Sequence, residues 1–192
     1  MSKVAITGNA SGTGVFTVAS PNSNVDRVLT LPDESGTVDT LQRSGNVVQV
    51  VNFQTGAMAT GTAVIPADDT VPQIGEGNEY MTLAITPTSA SNKLIIDIRV
   101  AVGTSTALYV SVVLFQDAIA NALAAFGGVA VSAEPGTFSF SHTMAAGSTS
   151  AITFRVRMGG HTTGTLTFNG HLGTRRFGGA MASSITITEV TP

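Results

Sequence analysis

The sequence predicts an all-β protein: a short N-terminal β-strand attachment segment followed by a jelly-roll-like antiparallel β-sandwich. Three observations carry this expectation. Apolar and polar residues alternate with period two along several stretches, and glycine- and proline-marked polar turns separate those stretches at short intervals. Outside one short stretch, nothing has the spacing of an amphipathic helix. Successive strand residues point to opposite faces, so an alternating run lays its apolar side chains on one side. Short strands divided by polar turns are the pattern of a sandwich or barrel.

The first 45 residues differ in texture from the rest. Val15, Thr17 and Ala19 form one candidate strand and Val28 to Leu31 another. Ser20-Pro21-Asn22-Ser23-Asn24 is a turn cluster between them, and Pro32-Asp33-Glu34-Ser35-Gly36 is a second. The apolar content here is small. Fixing each residue costs ~1–2 kcal/mol of conformational entropy. A segment this poor in apolar side chains is expected to be ordered only against neighbouring chains or a larger particle. The boundary is placed near Gly45, giving an attachment or stem segment, 1–45, and a head, 46–192, that buries its own core.

Within the head, Val47 to Phe53 (VVQVVNF) and Leu108 to Phe115 (LYVSVVLF) read as strands buried on both faces. The other strands read as buried on one face. Leu94, Ile96, Ile98, Val100 and Val102 form one apolar row. Phe138, Phe140, His142 and Met144 form a second. Ile152, Phe154, Val156 and Met158 oppose Thr153, Arg155 and Arg157. Leu166 with Phe168, and Ile185 with Ile187, complete the set. Turns are expected at Pro87 to Asn92, Gly103 to Thr106, Gly127-Gly128, Pro135-Gly136, Gly147-Ser148, Gly159-Gly160 and Gly178-Gly179. The stretch IANALAAF admits two readings. Ile119, Leu123 and Phe126 have helical spacing; a hairpin turning at Asp117 to Asn121 and returning along Ala122 to Phe126 is favoured, because the segment is short and a glycine pair follows.

Composition removes several functional classes. The 192 residues carry a net charge of -3 and only 11% are charged, against ~25% in an ordinary soluble domain. A basic nucleic-acid surface is not expected at this charge. Charge-driven disorder is not expected with 43% hydrophobic residues. Without Cys there is no disulfide framework or thiolate metal site. No run of 18 apolar residues predicts a membrane span, and no secretory leader pattern follows Met1.

No enzyme, cofactor or metal site is predicted. Gly8 to Gly14 lacks the Lys of a phosphate-binding loop, and no G-x-S-x-G elbow occurs. Asp68-Asp69 reads as a solvated turn, since Ca²⁺ takes about six to eight oxygen ligands. His142 reads as a core or interface residue, and His161 and His171, each beside glycine, read as loop-tip residues. One polar loop is a candidate receptor or docking element: His171, Arg175, Arg176 and Phe177. Arg forks onto carboxylate or phosphate, and an exposed Phe stacks on a sugar ring.

The run Gly12 to Asn24 followed by Arg27-Val28-Leu29-Thr30-Leu31-Pro32-Asp33 and Gly36-Thr37 resembles a segment recurrent in tailed-bacteriophage fibre and appendage proteins. The head is similar in strand texture to distal fibre domains, through Val48-Gln49-Val50, Ile85-Thr86-Pro87 and the closing Ile185 to Val190. The resemblance implies a homotrimeric virion protein with a β-rich globular head, a short fibre or spike or a capsid-decoration protein. Its location would be the virion, its partners other capsid or tail proteins and a host surface glycan or protein, with no nucleic acid and no membrane insertion. It marks Val15, Phe16, Val28, Leu29, Leu31 and Pro32 as attachment or trimer-stem residues. Composition itself does not imply a trimer. The alternative is a monomeric carbohydrate-binding β-sandwich. That class needs exposed aromatics, and the sequence has no Trp and only Tyr80 and Tyr109 as tyrosines.

Overall fold

A computed structural model of the chain describes residues 11–15, 17, 24–26, 28, 44–130 and 134–192. By spatial contact the chain divides into two units, Met1–Val38 and Asp39–Pro192. In the first unit none of the described residues lies in a strand, which corrects the strand expectation at Val15, Thr17 and Val28. Val15 and Val28 are 90% and 91% exposed. Phe16, Leu29, Leu31 and Pro32 lie outside the described residues.

The described part of the second unit is all-β. Its strands are β1 (Val47–Thr55), β2 (Ala59–Gly61), β3 (Asn78–Ile85), β4 (Lys93–Thr104), β5 (Leu108–Gln116), β6 (Ala124–Ala130) and β7 (Gly136–Ala145). There follow β8 (Ile152–Gly160), β9 (Leu166–Phe168), β10 (Gly170–His171), β11 (Thr174–Arg175) and β12 (Ser183–Val190). The first sheet runs β1-β12-β4, and the far edge of β4 is shared between β7 and β9, with β2 beyond β9. The second sheet runs β3-β8-β5-β6. All these pairings are antiparallel, and together the sheets form a sandwich.

The alternating rows supply the core. Leu94, Ile96, Ile98, Val100 and Val102 from β4 meet Ile152, Phe154, Val156 and Met158 from β8, with Ile185 and Ile187 from β12. Burying one such side chain contributes roughly 1.5–3 kcal/mol. The favoured hairpin is present: β5 pairs with β6 from Leu108 opposite Ala130 to Leu114 opposite Ala124. Asp117 takes the left-handed conformation at its turn (φ 50°), which a short polar side chain tolerates. Its carboxylate accepts the Thr153 N–H at 2.8 Å.

Three sequence expectations are corrected. Gly127-Gly128 is not a turn but the middle of β6. The glycines are there because rings lie over them: a Cβ on Gly127 would meet Tyr109 Cε1 at 2.5 Å, and one on Gly128 would meet Phe138 Cε1 at 2.9 Å. Gly159-Gly160 likewise ends β8 rather than turning. A Cβ on Gly159 would lie 2.6 Å from the Ile65 nitrogen, where the 62–77 loop crosses the sheet. Finally, β1 is not buried on both faces. It is an edge strand paired only with β12, and Val47, Val50 and Phe53 are exposed.

The 62–77 loop covers part of the outer face of the second sheet. Ile65 is fully buried against Val113 and Phe115, with Ile74 and Ala122 beside them. The loop is tied by Ile65 N–H to Gly160 O (3.0 Å), Ile74 N–H to Ala120 O (2.8 Å) and Ala122 N–H to Pro72 O (3.0 Å). Arg157 holds its far end, donating through Nε to Glu76 O and through Nη2 to Gly77 O, both at 2.8 Å.

At one end of the sandwich, Glu189 is fully buried beneath the 86–92 loop. It accepts hydrogen bonds from Gln49 Nε2 (2.5 Å), Asn92 Nδ2 (2.6 Å), the Thr88 N–H (2.8 Å) and the Thr88 hydroxyl (2.9 Å). Burial pushes its carboxyl up, but these donors outweigh burial and hold it down at about 2.

Candidate functional site

The predicted docking loop divides between interior and surface. His171, expected at a solvated tip, is buried in the β10–β11 hairpin. The reason is its packing against β4, where a Cβ on Gly103 would come within 2.7 Å of His171 Nδ1. Arg175 and Arg176 are exposed, and Phe177 is 78% exposed. Phe177 also takes a left-handed conformation, φ 48°, which a bulky residue adopts only at a cost. It lines a shallow pocket of about 410 Å³ with Gln54, Arg99 and Thr137, on the outer side of the first sheet. The structure therefore sets Phe177 at one pocket with Arg99 of β4.

The larger candidate site lies elsewhere, as an open groove of about 660 Å³ on the outer face of the second sheet. Ser111 and Gly127, directly opposite each other on β5 and β6, belong to its floor. Asp68 and Thr70 supply one wall from the covering loop, and Tyr109 and His161 line it from the sheet side.

Each of these side chains is positioned by a local reason. Tyr109 is the one outward residue of β5 that no loop covers, and it stays partly exposed. Its ring edge rests on the Gly127 backbone. On the other side it meets His161 edge-on, with centroids 6.4 Å apart and planes at 86°. His161 is itself held by its N–H donating to Tyr109 O at 2.9 Å and by Nδ1 accepting the Tyr109 N–H at 3.2 Å. That tautomer is assigned from the hydrogen-bond network. Asp68 accepts from the Thr70 N–H (2.9 Å) and hydroxyl (2.5 Å) in an Asx turn. Those bonds lower its carboxyl below the ordinary value. Tyr80, the other tyrosine, is largely buried beside Phe168, and burial pushes its hydroxyl up to about 12.

Sequence reasoning passed over this groove. Tyr109 stood inside an apolar run, and Asp68 stood in a short turn far from it in the chain. The signal available was Tyr109, a polar-tipped ring in a largely apolar strand. Among the described residues, no three His, Asp or Glu side chains gather as a metal site.

No protein family matches the chain, and no curated protein matches it. Solved structures do match. A CBM4 structure aligns at 19% identity over 65% of this chain and 73% of its own, with a TM-score of 0.38. A structure of infectious bursal disease virus, Gx strain, aligns at 12% identity over 87% of this chain and 41% of its own, with a TM-score of 0.39. The enzymatically active domain of bacteriophage CBA120 tailspike protein 4 aligns at 16% identity over 65% of this chain and 19% of its own, with a TM-score of 0.27. This chain thus spans less than half of either viral chain. These likenesses assign it neither an activity nor a partner.

Proposed function

We propose that the chain is a structural protein of a tailed-bacteriophage particle. Its segment 1–45 attaches it there as a homotrimer, and its sandwich is displayed outward for adhesion or shell stabilisation. The observation that carries this reading is the contrast in burial. The sandwich encloses its own core, whereas Val15 and Val28 present apolar side chains to solvent in the single chain. Such side chains gain burial when sister chains or a particle surface cover them. The segment resemblance around Arg27 to Asp33 points the same way. The strand order, β1-β12-β4-β7 facing β3-β8-β5-β6, is read as a jelly roll, an architecture common to capsid and lectin domains.

Deleting residues 1–45 tests the proposal. The truncated protein is expected to fold but not to join particles, and the full chain is expected to scatter light as a trimer. A full-length species of 19.5 kDa, or truncated protein found on particles, would overturn it.

A further inference from the structure

We propose that the groove beneath the 62–77 loop binds a neutral, hydroxyl-rich saccharide, with Tyr109 as its stacking surface and Asp68 as its hydroxyl acceptor. This deepens the adhesive role proposed above and rests on it for its biological setting.

Three observations lead there. The groove, at about 660 Å³, falls within the roughly 300–1,000 Å³ of ordinary small-ligand sites. Of the rings that line it, Tyr109 is preorganised. Tyr109 is clamped between the Gly127 backbone and the His161 ring, so a ligand does not have to order it. A tyrosine ring offers a negative face to the apolar C–H face of a pyranose, while its hydroxyl stays polar. The acceptor is preorganised too. Thr70 engages Oδ1 of Asp68 twice, leaving Oδ2 for ligand hydroxyls. Hydrogen bonds to a charged carboxylate are roughly twice as strong as neutral ones.

Charge narrows the ligand class. Neither Lys nor Arg lines the groove, and Asp69 stands exposed next to Asp68. Two neighbouring carboxylates repel sialic acids, uronic acids and phosphates, and accept the hydroxyls of a neutral sugar. The Tyr109 ring itself covers Gly127, so a sugar ring would lie against Tyr109 and not on the strand backbone.

Saturation-transfer NMR on the full chain provides the test, with glucose, galactose, N-acetylglucosamine and lactose as neutral probes and sialyllactose as the acidic one. Transfer to the ring protons of at least one neutral probe is expected, with millimolar affinity. Asp68→Asn, on an exposed loop, and Tyr109→Ala should each weaken it about tenfold, the effect of losing one anchoring contact. Val50→Thr, on the exposed edge strand β1 and outside the groove lining, should leave it unchanged. The proposal is overturned if no neutral probe shows transfer, if sialyllactose binds better than lactose, or if Asp68→Asn binds as well as the parent. Because Asp68→Asn leaves the core untouched, a folding defect in Tyr109→Ala does not spoil the result. Particle labelling with an antibody to the chain is scored separately. Sugar binding by a protein absent from particles would sink the virion reading alone, and particle incorporation without sugar binding would sink only this one.

Discussion

The outward faces of the two sheets have been treated differently. On the first sheet Asp97, Arg99, Ser139 and Ser141 face solvent, and the Ser141 hydroxyl donates to Asp97. On the second sheet the 62–77 loop lies across β5, and Val113 and Phe115 are as buried as any inward residue. The difference shows that what lies above a strand, and not its place in the sheet, decides whether its outward side chains are buried. Strands β4 and β5 both have neighbours on either side. The 62–77 loop covers β5 at Val113 and Phe115, whereas β4 keeps its alternation from Leu94 to Ile98 and is covered only toward its end, where His171 packs at Gly103.

The largest effect should come from removing the apolar cover. Phe115→Ala is expected to cost about 3 kcal/mol, the lower end for a buried Phe, because the loop can settle into part of the space. Urea unfolding measures it. A cost like that of a surface change would mean the loop does not seal that face.

A polar cover should yield less. Glu189→Gln keeps the shape but turns one acceptor into a donor facing other donors. The expected loss is about 2 kcal/mol, the scale of a buried hydrogen-bonding group left unsatisfied. Its pH dependence has a definite sign. The folded carboxyl sits near 2 and the ordinary value is 4.5, so its contribution is complete above about 4.5 and fades as pH falls toward 2. Unfolding curves of parent and variant should converge there. A gap that persists unchanged to pH 2 would contradict the clasp.

The smallest effect belongs to the edge. Val50 on β1 is 55% exposed, and Val50→Thr should shift stability by no more than about 0.5 kcal/mol. A loss comparable to that of Phe115→Ala, measured on the isolated chain, would show that β1 also has a cover.

The inward faces were legible in the sequence because burial on one side imposes period two. The rows on β4, β8 and β12 were read correctly residue by residue, while on β7 Phe138 is buried and Phe140, His142 and Met144 are half-buried. What lay above a strand was not legible. VVQVVNF and LYVSVVLF look alike, yet β1 ends at an edge and β5 sits beneath a loop. The glycine pairs misled for a related reason. Gly127-Gly128 and Gly159-Gly160 answer to a ring or a crossing chain brought there by tertiary packing, and nothing local separates that need from a turn. The groove combines both difficulties, since Tyr109, Asp68 and His161 come from three elements that meet only in the fold. His171 was misplaced because its flanking glycines permit close packing as readily as they permit exposure.

Ile65 and Ile74 pin the two ends of the covering loop, while Asp68 and Thr70 between them line the groove. Anchor and contact surface are thus separate along one short stretch of chain. Substitutions between the pins can change the lining of the groove while the interior stays as it is, so this stretch is an exchangeable cartridge on a fixed frame.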